Sequence, residues 1–244
     1  MTAKARRVAD PAISAKTATV AKVAQRPHVT PDYYQRGRRY LLAKDPKLAE
    51  IIRRAGPCRM RAYQEGAAFS ALVETIVSQQ LSTRAADTIF GRVCTLCHSG
   101  GNAGSNGAGL SPERVLALAP AQLRAAGLSG AKAKYVQELA GKVTDGTIVL
   151  DDLNALPDEE VTRVLSQVKG IGPWSTHMFL IFRLHRPDIW PIGDLAIVRA
   201  LQRFHGMRKA PKVKRLEKMG DIWRPYRSLA AWYLWASLSL TPGD

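Results

Sequence analysis

The sequence predicts an all-α protein, and two observations support this prediction. No segment alternates apolar and polar residues with the period of two that marks a half-buried strand. Instead, short apolar runs recur at helical spacing, and many follow a Ser, Asp or Pro of the kind that begins a helix. With 244 residues, 46% of them hydrophobic, the chain can bury a substantial core as one large domain or two small ones.

The first 30 residues differ from the rest in composition. They carry six Lys or Arg residues against Asp10 alone, and they show little amphipathic pattern. We therefore expect residues 1–30 to be a disordered basic tail and residues 31–244 to form the helical domain. The tail could be an unstructured extension, an additional attraction to nucleic acid, or an address to an organelle.

The charge of the whole chain is also unusual. A net charge of +16 serves solubility, binding to an anionic membrane surface, or binding to a polyanion such as nucleic acid. No window reaches the roughly 18 apolar residues of a membrane span, and the N-terminus lacks the apolar core of a secretory signal. Three cysteines cannot all pair, which favours a reducing compartment. A cytoplasmic location, or a nuclear one in a eukaryote, is expected.

The periodic segments define the helices in order. A short helix is expected at 45–53, and a longer apolar stripe at 69–94 is interrupted by the sequence SQQLS at 78–82, where Ser82 suits the N-cap of the next helix. Residues 98–109 hold five glycines and should form a flexible loop. Further helices are expected at 111–118, 120–126, 129–143, 157–167, 195–204 and 226–238.

Two breaks in this helical pattern carry possible chemistry. The sequence VKGIG at 168–172 leads into Pro173, a residue suited to the first position of a helix, so backbone N–H groups could hold a phosphate there. The sequence WPIG at 190–193 then precedes Asp194, where the next helix should begin. The glycine hairpin could instead be only a tight connection, and Asp194 only a helix N-cap.

The segment after Asp194 is basic and then aromatic. Between Arg199 and Arg227 there are ten Lys or Arg residues and two acids. In the last helix, Trp232 and Trp235 are three positions apart, so one could be buried while the other faces a cleft. Basic charge is therefore concentrated in the C-terminal third of the chain.

Several of these stretches together resemble one known family. They are VKGIGPWS at 168–175 with PIGD at 191–194, SQQLS at 78–82, LSGAKAKY at 128–135, and WRPYRS at 223–228 continuing to Trp235. In this order they resemble the helix-hairpin-helix GPD superfamily of base-excision DNA glycosylases, in its 3-methyladenine DNA glycosylase II branch, over about residues 45–240. The resemblance implies a two-lobed all-α fold with the active site in the cleft between the lobes and the helix-hairpin-helix at about 159–182.

The same resemblance assigns roles to individual residues. It implies that Asp194 is the catalytic carboxylate, and that the hairpin residues Lys169, Gly170, Ile171 and Gly172 bind the DNA backbone. A carboxylate suits this reaction because cleavage of a purine nucleotide builds positive charge on the deoxyribose. Alkylated purines are already cationic and leave readily, so one carboxylate can be sufficient.

The resemblance also places Trp174, Trp235 and Met178 in the base pocket, where aromatic rings can stack on a cationic base. Some relatives have a tyrosine at the position of Met178, so the base preference is open. Bifunctional branches have a lysine at the position of Trp174, which forms a Schiff base with the sugar. Tryptophan cannot, so the enzyme is expected to be monofunctional and to leave an abasic site.

Base flipping requires a side chain that fills the hole left in the duplex. By its position in the resembling pattern Gln80 is the expected wedge, with Gln79 and Leu81 as alternatives. The substrate is then double-stranded DNA containing 3-methyladenine or 7-methylguanine, and the protein should act as a monomer. Alternatives are a glycosylase for hypoxanthine, ethenoadenine or another lesion, and a non-catalytic DNA-binding module.

No cofactor is expected. The four-cysteine signature of an iron-sulfur cluster is missing from the C-terminal part of the sequence. Cys94 and Cys97 form a lone C-x-x-C beside His98 with no second ligand pair, which favours a structural role. His177 and His185 are also expected to be core or surface residues rather than metal ligands. In the resembling superfamily the hairpin carbonyls can hold a monovalent cation.

Overall fold

The computed structural model describes residues 31–60, 68–98 and 109–240. In these ranges the chain forms twelve α-helices and two 3₁₀ turns without a β-strand, so the prediction of an all-α fold is confirmed. The basic tail at 1–30 and nearly all of the glycine-rich loop lie outside the described residues. The helices are α1 Pro31–Lys44, α2 Pro46–Ala55, α3 Ala68–Ser78, α4 Thr83–Cys97, α5 Pro112–Leu116, α6 Pro120–Ala125, α7 Gly130–Thr144, α8 Asp158–Leu165, α9 Pro173–Phe182, α10 Leu195–His205, α11 Val213–Met219 and α12 Arg227–Ser237.

The expected start signals operate as helix caps. Ser82, Ser111 and Ser129 each accept a hydrogen bond from a backbone N–H in the first turn of the following helix. At the C-terminal end of α10, Gly206 adopts the left-handed conformation with φ 63°. Helix α8 ends at Leu165 rather than at residue 167, because the chain already tightens toward the glycine hairpin through the bond from Val168 N–H to the Leu165 carbonyl.

Two helices were not predicted. Helix α1 has a glycine in its interior, and this position requires one, because a Cβ on Gly37 would lie 2.7 Å from the ring of Tyr226 and 2.8 Å from Leu229. The glycine lets α1 pack closely on α12. Helix α11 is short, and Leu216 is its one buried residue. Basic residues around Leu216 dominate its sequence, so the helical pattern is hard to recognise.

The helices pack in two groups around one continuous core. Helices α3 to α9 contact one another, with α7 packed on α3, α5 and α6 and with α9 packed on α3 and α8. The N-terminal helices α1 and α2 pack instead on α12, which also contacts α10. The chain therefore begins in the group that contains α1 and α2, forms the group of α3 to α9, and then returns to the group that contains α1, α2 and α12.

The return segment between α9 and α10 is held at several points. Both carboxylate oxygens of Asp188 bind Arg227, at 2.8 and 3.0 Å, and Arg224 lies 2.8 Å from Oδ2 of the same carboxylate. Ser228 Oγ accepts from Ile189 N–H at 2.9 Å, and Trp190 Nε1 donates to the Leu216 carbonyl. These contacts fix the segment that ends at Asp194. None of the helices in the described ranges is long and apolar enough to span a membrane.

Candidate active site

Asp194 is the N-cap of α10 and lies at the end of the return segment. Gly193 precedes it with φ 92°, a backbone conformation that favours glycine, and Asp194 itself is extended. Its Oδ1 accepts a 2.8 Å hydrogen bond from Ile197 N–H, as expected of a cap. Capping therefore occupies Oδ1 and leaves Oδ2 for other contacts.

Two tryptophans from different parts of the chain donate to this carboxylate. The indole Nε1 of Trp174, on α9, lies 2.7 Å from Oδ2, and that of Trp235, on α12, lies 3.0 Å from Oδ1. Oδ1 thus has two donors and Oδ2 has one, so a lone pair on Oδ2 remains for a further partner. With Asp194 only 7% exposed, the carboxylate is held in one orientation between the two groups of helices.

The two indoles that hold the carboxylate belong to a small aromatic group. Trp174 and Trp235 are half-buried, and Phe182 stacks on Trp235 with ring centroids 5.4 Å apart and an interplanar angle of 30°. Met178 lies one turn after Trp174 on α9, but it belongs to the core and is 9% exposed. Phe182 was not predicted, although its spacing of four from Met178 places it on the same face of α9 and could have indicated it.

The glycine hairpin between α8 and α9 is a tight turn with two buried residues, Val168 and Ile171. Ile171 is 4% exposed and its N–H donates to the Val168 carbonyl, so it anchors the hairpin in the core. Lys169 and Gly170 are exposed. Gly172 is the N-cap of α9 and has no side chain to cap it, so the first N–H groups of this helix present its positive end at the hairpin.

The three residues of the turn between α3 and α4 have different surroundings. Gln79 Nε2 donates to the Gly170 carbonyl at 2.7 Å and to Ser175 Oγ at 2.9 Å. Gln80 is exposed and has φ 58°, which is uncommon for a residue other than glycine. Leu81 is 40% exposed. Gln80 and Leu81 can thus reach a ligand, whereas the amide of Gln79 is bound to the hairpin.

The residues considered for metal binding are placed separately. In the described ranges no group of three or more His, Cys, Asp or Glu side chains is arranged to hold a metal ion. Cys94 and Cys97 are buried, and His98 Nδ1 lies 2.9 Å from the Cys94 carbonyl. His177 and His185 are partly buried, and burial lowers the pKa of both.

Comparison with known proteins identifies the family of the chain. Residues 73–225 match the model of the HhH-GPD superfamily of base excision DNA repair proteins. The chain is 29% identical to the alkylbase DNA glycosidase-like protein mag2 of Schizosaccharomyces pombe, over 83% of this chain and 92% of the relative. It is 30% identical to DNA-3-methyladenine glycosylase 1 of the same organism, over 82% of this chain and 86% of the relative.

A solved structure gives the same result for the fold. The S. pombe 3-methyladenine DNA glycosylase in complex with abasic DNA superposes with a TM-score of 0.72 at 29% identity, covering 84% of this chain and 98% of that one. The family match includes α4 to α11, the hairpin, the return segment and Asp194. The chain therefore belongs to the HhH-GPD superfamily of base excision DNA repair proteins.

Proposed function

We propose that this protein is a monofunctional DNA glycosylase that flips alkylated purines, such as 3-methyladenine and 7-methylguanine, out of double-stranded DNA and excises them. The observation that carries this proposal is the carboxylate of Asp194 held between the indoles of Trp174 and Trp235. It combines a negative charge for the sugar with aromatic surfaces for a cationic base. The names of the two S. pombe relatives favour the same substrate class.

The chemistry follows from the charges in the transition state. The bond between C1′ and the purine nitrogen breaks with its electron pair going to the base, and a cationic alkylated base thereby leaves as a neutral molecule. Positive charge develops on the deoxyribose, and the open lone pair of Asp194 Oδ2 can stabilise it or accept a proton from the attacking water. Water supplies the new oxygen on C1′, and the product is an abasic site.

Trp174 supports the monofunctional part of the proposal. An indole has no amine to form a Schiff base, so this residue cannot open the sugar and begin strand cleavage. Its N–H is instead used to hold Asp194. Base release and strand cleavage should therefore be separate in this protein.

The DNA contacts follow from the exposed parts of the site. Lys169, Gly170 and Gly172 offer a cationic side chain and backbone close to the positive end of α9, which suits a phosphate of any sequence. Ile171 supports this contact from the core. Gln80, exposed at the tip of the turn between α3 and α4, is the proposed wedge. A single lesion has no two-fold symmetry, so a monomer is proposed.

The hairpin also fits a monovalent cation. The carbonyl oxygens of Val168 and Gly170 each accept one hydrogen bond in the protein, from Ile171 N–H and from Gln79, and each keeps a second lone pair. A cation held there would add positive charge for a phosphate. The proposed excision reaction itself uses no cofactor.

The test is release of methylated bases by the wild type and by Asp194→Asn. Asparagine keeps the helix cap but removes the negative charge, so excision should fall at least about a hundredfold, as for the loss of one main electrostatic group. Asp152→Asn is the matched control, because Asp152 is exposed and lies outside the site. Each variant should be checked for folding by its melting temperature.

The alternatives give different results in the same assay. Release of hypoxanthine or ethenoadenine in preference to methylated purines would redirect the substrate assignment. Equal release by wild type and Asp194→Asn would remove Asp194 from the mechanism. Tight binding to duplex DNA without release of any base would support the non-catalytic module.

A further inference from the structure

A lysine on α7 donates hydrogen bonds to backbone carbonyls of the turn between α3 and α4 and of the helix end before it. Lys132 Nζ donates to the carbonyl of Val77 at 2.8 Å and to that of Gln79 at 2.7 Å. Carbonyls at the end of a helix have no partner within the helix, and a cation there also suits the helix dipole. Lys132 is partly buried, and burial lowers its pKa. Its ammonium group therefore caps α3 and fixes the peptide next to Gln80.

The same turn is bonded to the glycine hairpin on its other side. Gln79 donates through its side-chain amide to the Gly170 carbonyl and to Ser175 Oγ, across 91 and 96 residues of sequence. Its backbone carbonyl accepts from Lys132. Gln79 is thus the direct link between the turn that carries the proposed wedge and the hairpin that faces the phosphate.

The hairpin rests on the same face of α7. A Cβ on Gly170 would lie 2.1 Å from the Tyr135 ring, so this ring lies directly against the hairpin backbone. Glu138 Oε1 accepts from Lys169 N–H at 3.4 Å. Lys132, Tyr135 and Glu138 are spaced by three residues and so share one face of the helix. This face contacts both DNA-facing elements.

The conformation of Gln80 depends on these contacts. Its φ of 58° is disfavoured for a side chain of this type, and such a conformation persists where the surrounding structure imposes it. The bonds that hold the preceding residue are those of Gln79 with Lys132, Gly170 and Ser175. Without them the turn can relax, and the side chain at its tip then points elsewhere.

We infer that Lys132 is a positioning residue that holds the turn of residues 79–81, through Gln79, at a set distance from the glycine hairpin. The side chain at the tip of the turn then enters the duplex at the nucleotide whose backbone the hairpin holds. This inference rests on the proposed function. Lys132 does not touch the reacting atoms, so its loss should impair extrusion of a paired base more than cleavage of a base that is already unpaired.

The experiment compares two substrates under single-turnover conditions. One duplex carries a 7-methylguanine opposite cytosine, and the other carries it within a short bubble of unpaired bases, where extrusion costs less. Lys132→Met keeps most of the aliphatic packing but removes the donors, and it should lower the rate on the paired lesion by about tenfold, typical for loss of charge-assisted bonds to part-buried carbonyls. The rate on the unpaired lesion should fall by less than about threefold.

Two further variants separate positioning from charge and from folding. Lys132→Arg can still donate to two carbonyls and should restore most of the rate on the paired lesion. Lys134→Met removes the same charge from an exposed position on α7 and should change both rates by less than about twofold. Equal losses of Lys132→Met on the two substrates, or no loss on either, would overturn the inference.

A binding measurement tests the inference without catalysis. DNA with a stable abasic analogue and a neighbouring 2-aminopurine reports wedge insertion as a rise in fluorescence, because insertion unstacks the probe. The wild type should produce this rise, and Lys132→Met should lose at least half of it at saturating protein. An unchanged rise would overturn the positioning role. Failure of the wild type to release any base would instead count against the proposed function, while the fluorescence result still decides the role of Lys132.

Discussion

The indole Nε1 of Trp174 donates a 2.7 Å hydrogen bond to Oδ2 of Asp194, twenty residues further along the chain. Trp174→Phe keeps an aromatic ring but removes this donor, so the carboxylate oxygen proposed to face the sugar is no longer held. One charge-assisted hydrogen bond corresponds to about 1.5–3 kcal/mol, and excision should therefore fall roughly tenfold to a hundredfold. Single-turnover release of 7-methylguanine measures this change.

Trp235→Phe is the control for that experiment. Its indole binds Oδ1, which keeps the bond from Ile197 N–H after the substitution. The loss should therefore be clearly smaller than for Trp174→Phe. A larger loss in Trp235→Phe would show that stacking of the base, rather than orientation of Oδ2, limits the rate.

The absence of an amine at position 174 predicts products without strand breaks. Wild-type protein incubated with methylated duplex should release base and leave DNA that breaks only after alkaline treatment. Borohydride should trap no covalent complex with the protein. Electrophoresis before and after alkali, and under denaturing conditions after borohydride, measures both results. A trapped complex would refute the monofunctional mechanism.

The two glycines of the hairpin should respond differently to alanine. Gly170 has φ 84° and lies against the Tyr135 ring, so Gly170→Ala should lower the free energy of unfolding by at least ~1 kcal/mol and weaken binding to duplex DNA. A Cβ on Gly172 has nothing within 4 Å, and its φ of −109° suits any residue. Gly172→Ala should fold normally. A loss of DNA affinity in that variant would report close approach of a phosphate.

Chemical denaturation and titration with duplex DNA distinguish these effects. Equal stability of Gly170→Ala and the wild type would contradict the packing of Tyr135 on the hairpin. The affinity of the wild type should also fall with added salt, because the proposed contact is with phosphate.

Stability should decrease in mild acid, in part through His177. Burial lowers the pKa of this imidazole, Arg227 lowers it further, and Asp158 opposes them. In the unfolded chain the pKa returns to about 6.5, so between the two values the unfolded chain binds more protons. The contribution of neutral His177 is therefore complete above about pH 6.5 and is lost as the pH falls through the lowered value.

His177→Gln tests this contribution, because glutamine does not titrate. The free energy of unfolding should fall less for the variant than for the wild type between about pH 7.5 and about pH 5. Urea denaturation at several pH values measures the difference. The same slope in both proteins would exclude His177 as a contributor.

Local signals in the sequence were sufficient for much of the fold. Helix caps act within one turn, so Ser82, Ser111, Ser129 and Asp194 could be identified as helix starts without knowledge of any distant contact. The hairpin glycines and the break before Asp194 were recognised for the same reason. The family resemblance placed these segments in one site, and the family membership is confirmed by the match over residues 73–225.

Contacts between distant residues were decided only by the tertiary structure. The glycine inside α1 is required by close packing against Tyr226, far along the chain. In the sequence alone, this glycine lowers the helix propensity of the segment and so hides the helix. The division of donors between Oδ1 and Oδ2 of Asp194, the stacking of Phe182 on Trp235, and the link from Lys132 through Gln79 to the hairpin depend on how helices pack. The sequence by itself determined where most of the helices begin and which residue types suit the proposed chemistry, because these depend on neighbours within a few positions. Which atoms meet depends on the packing of helices across the whole core, so only the tertiary structure could decide it.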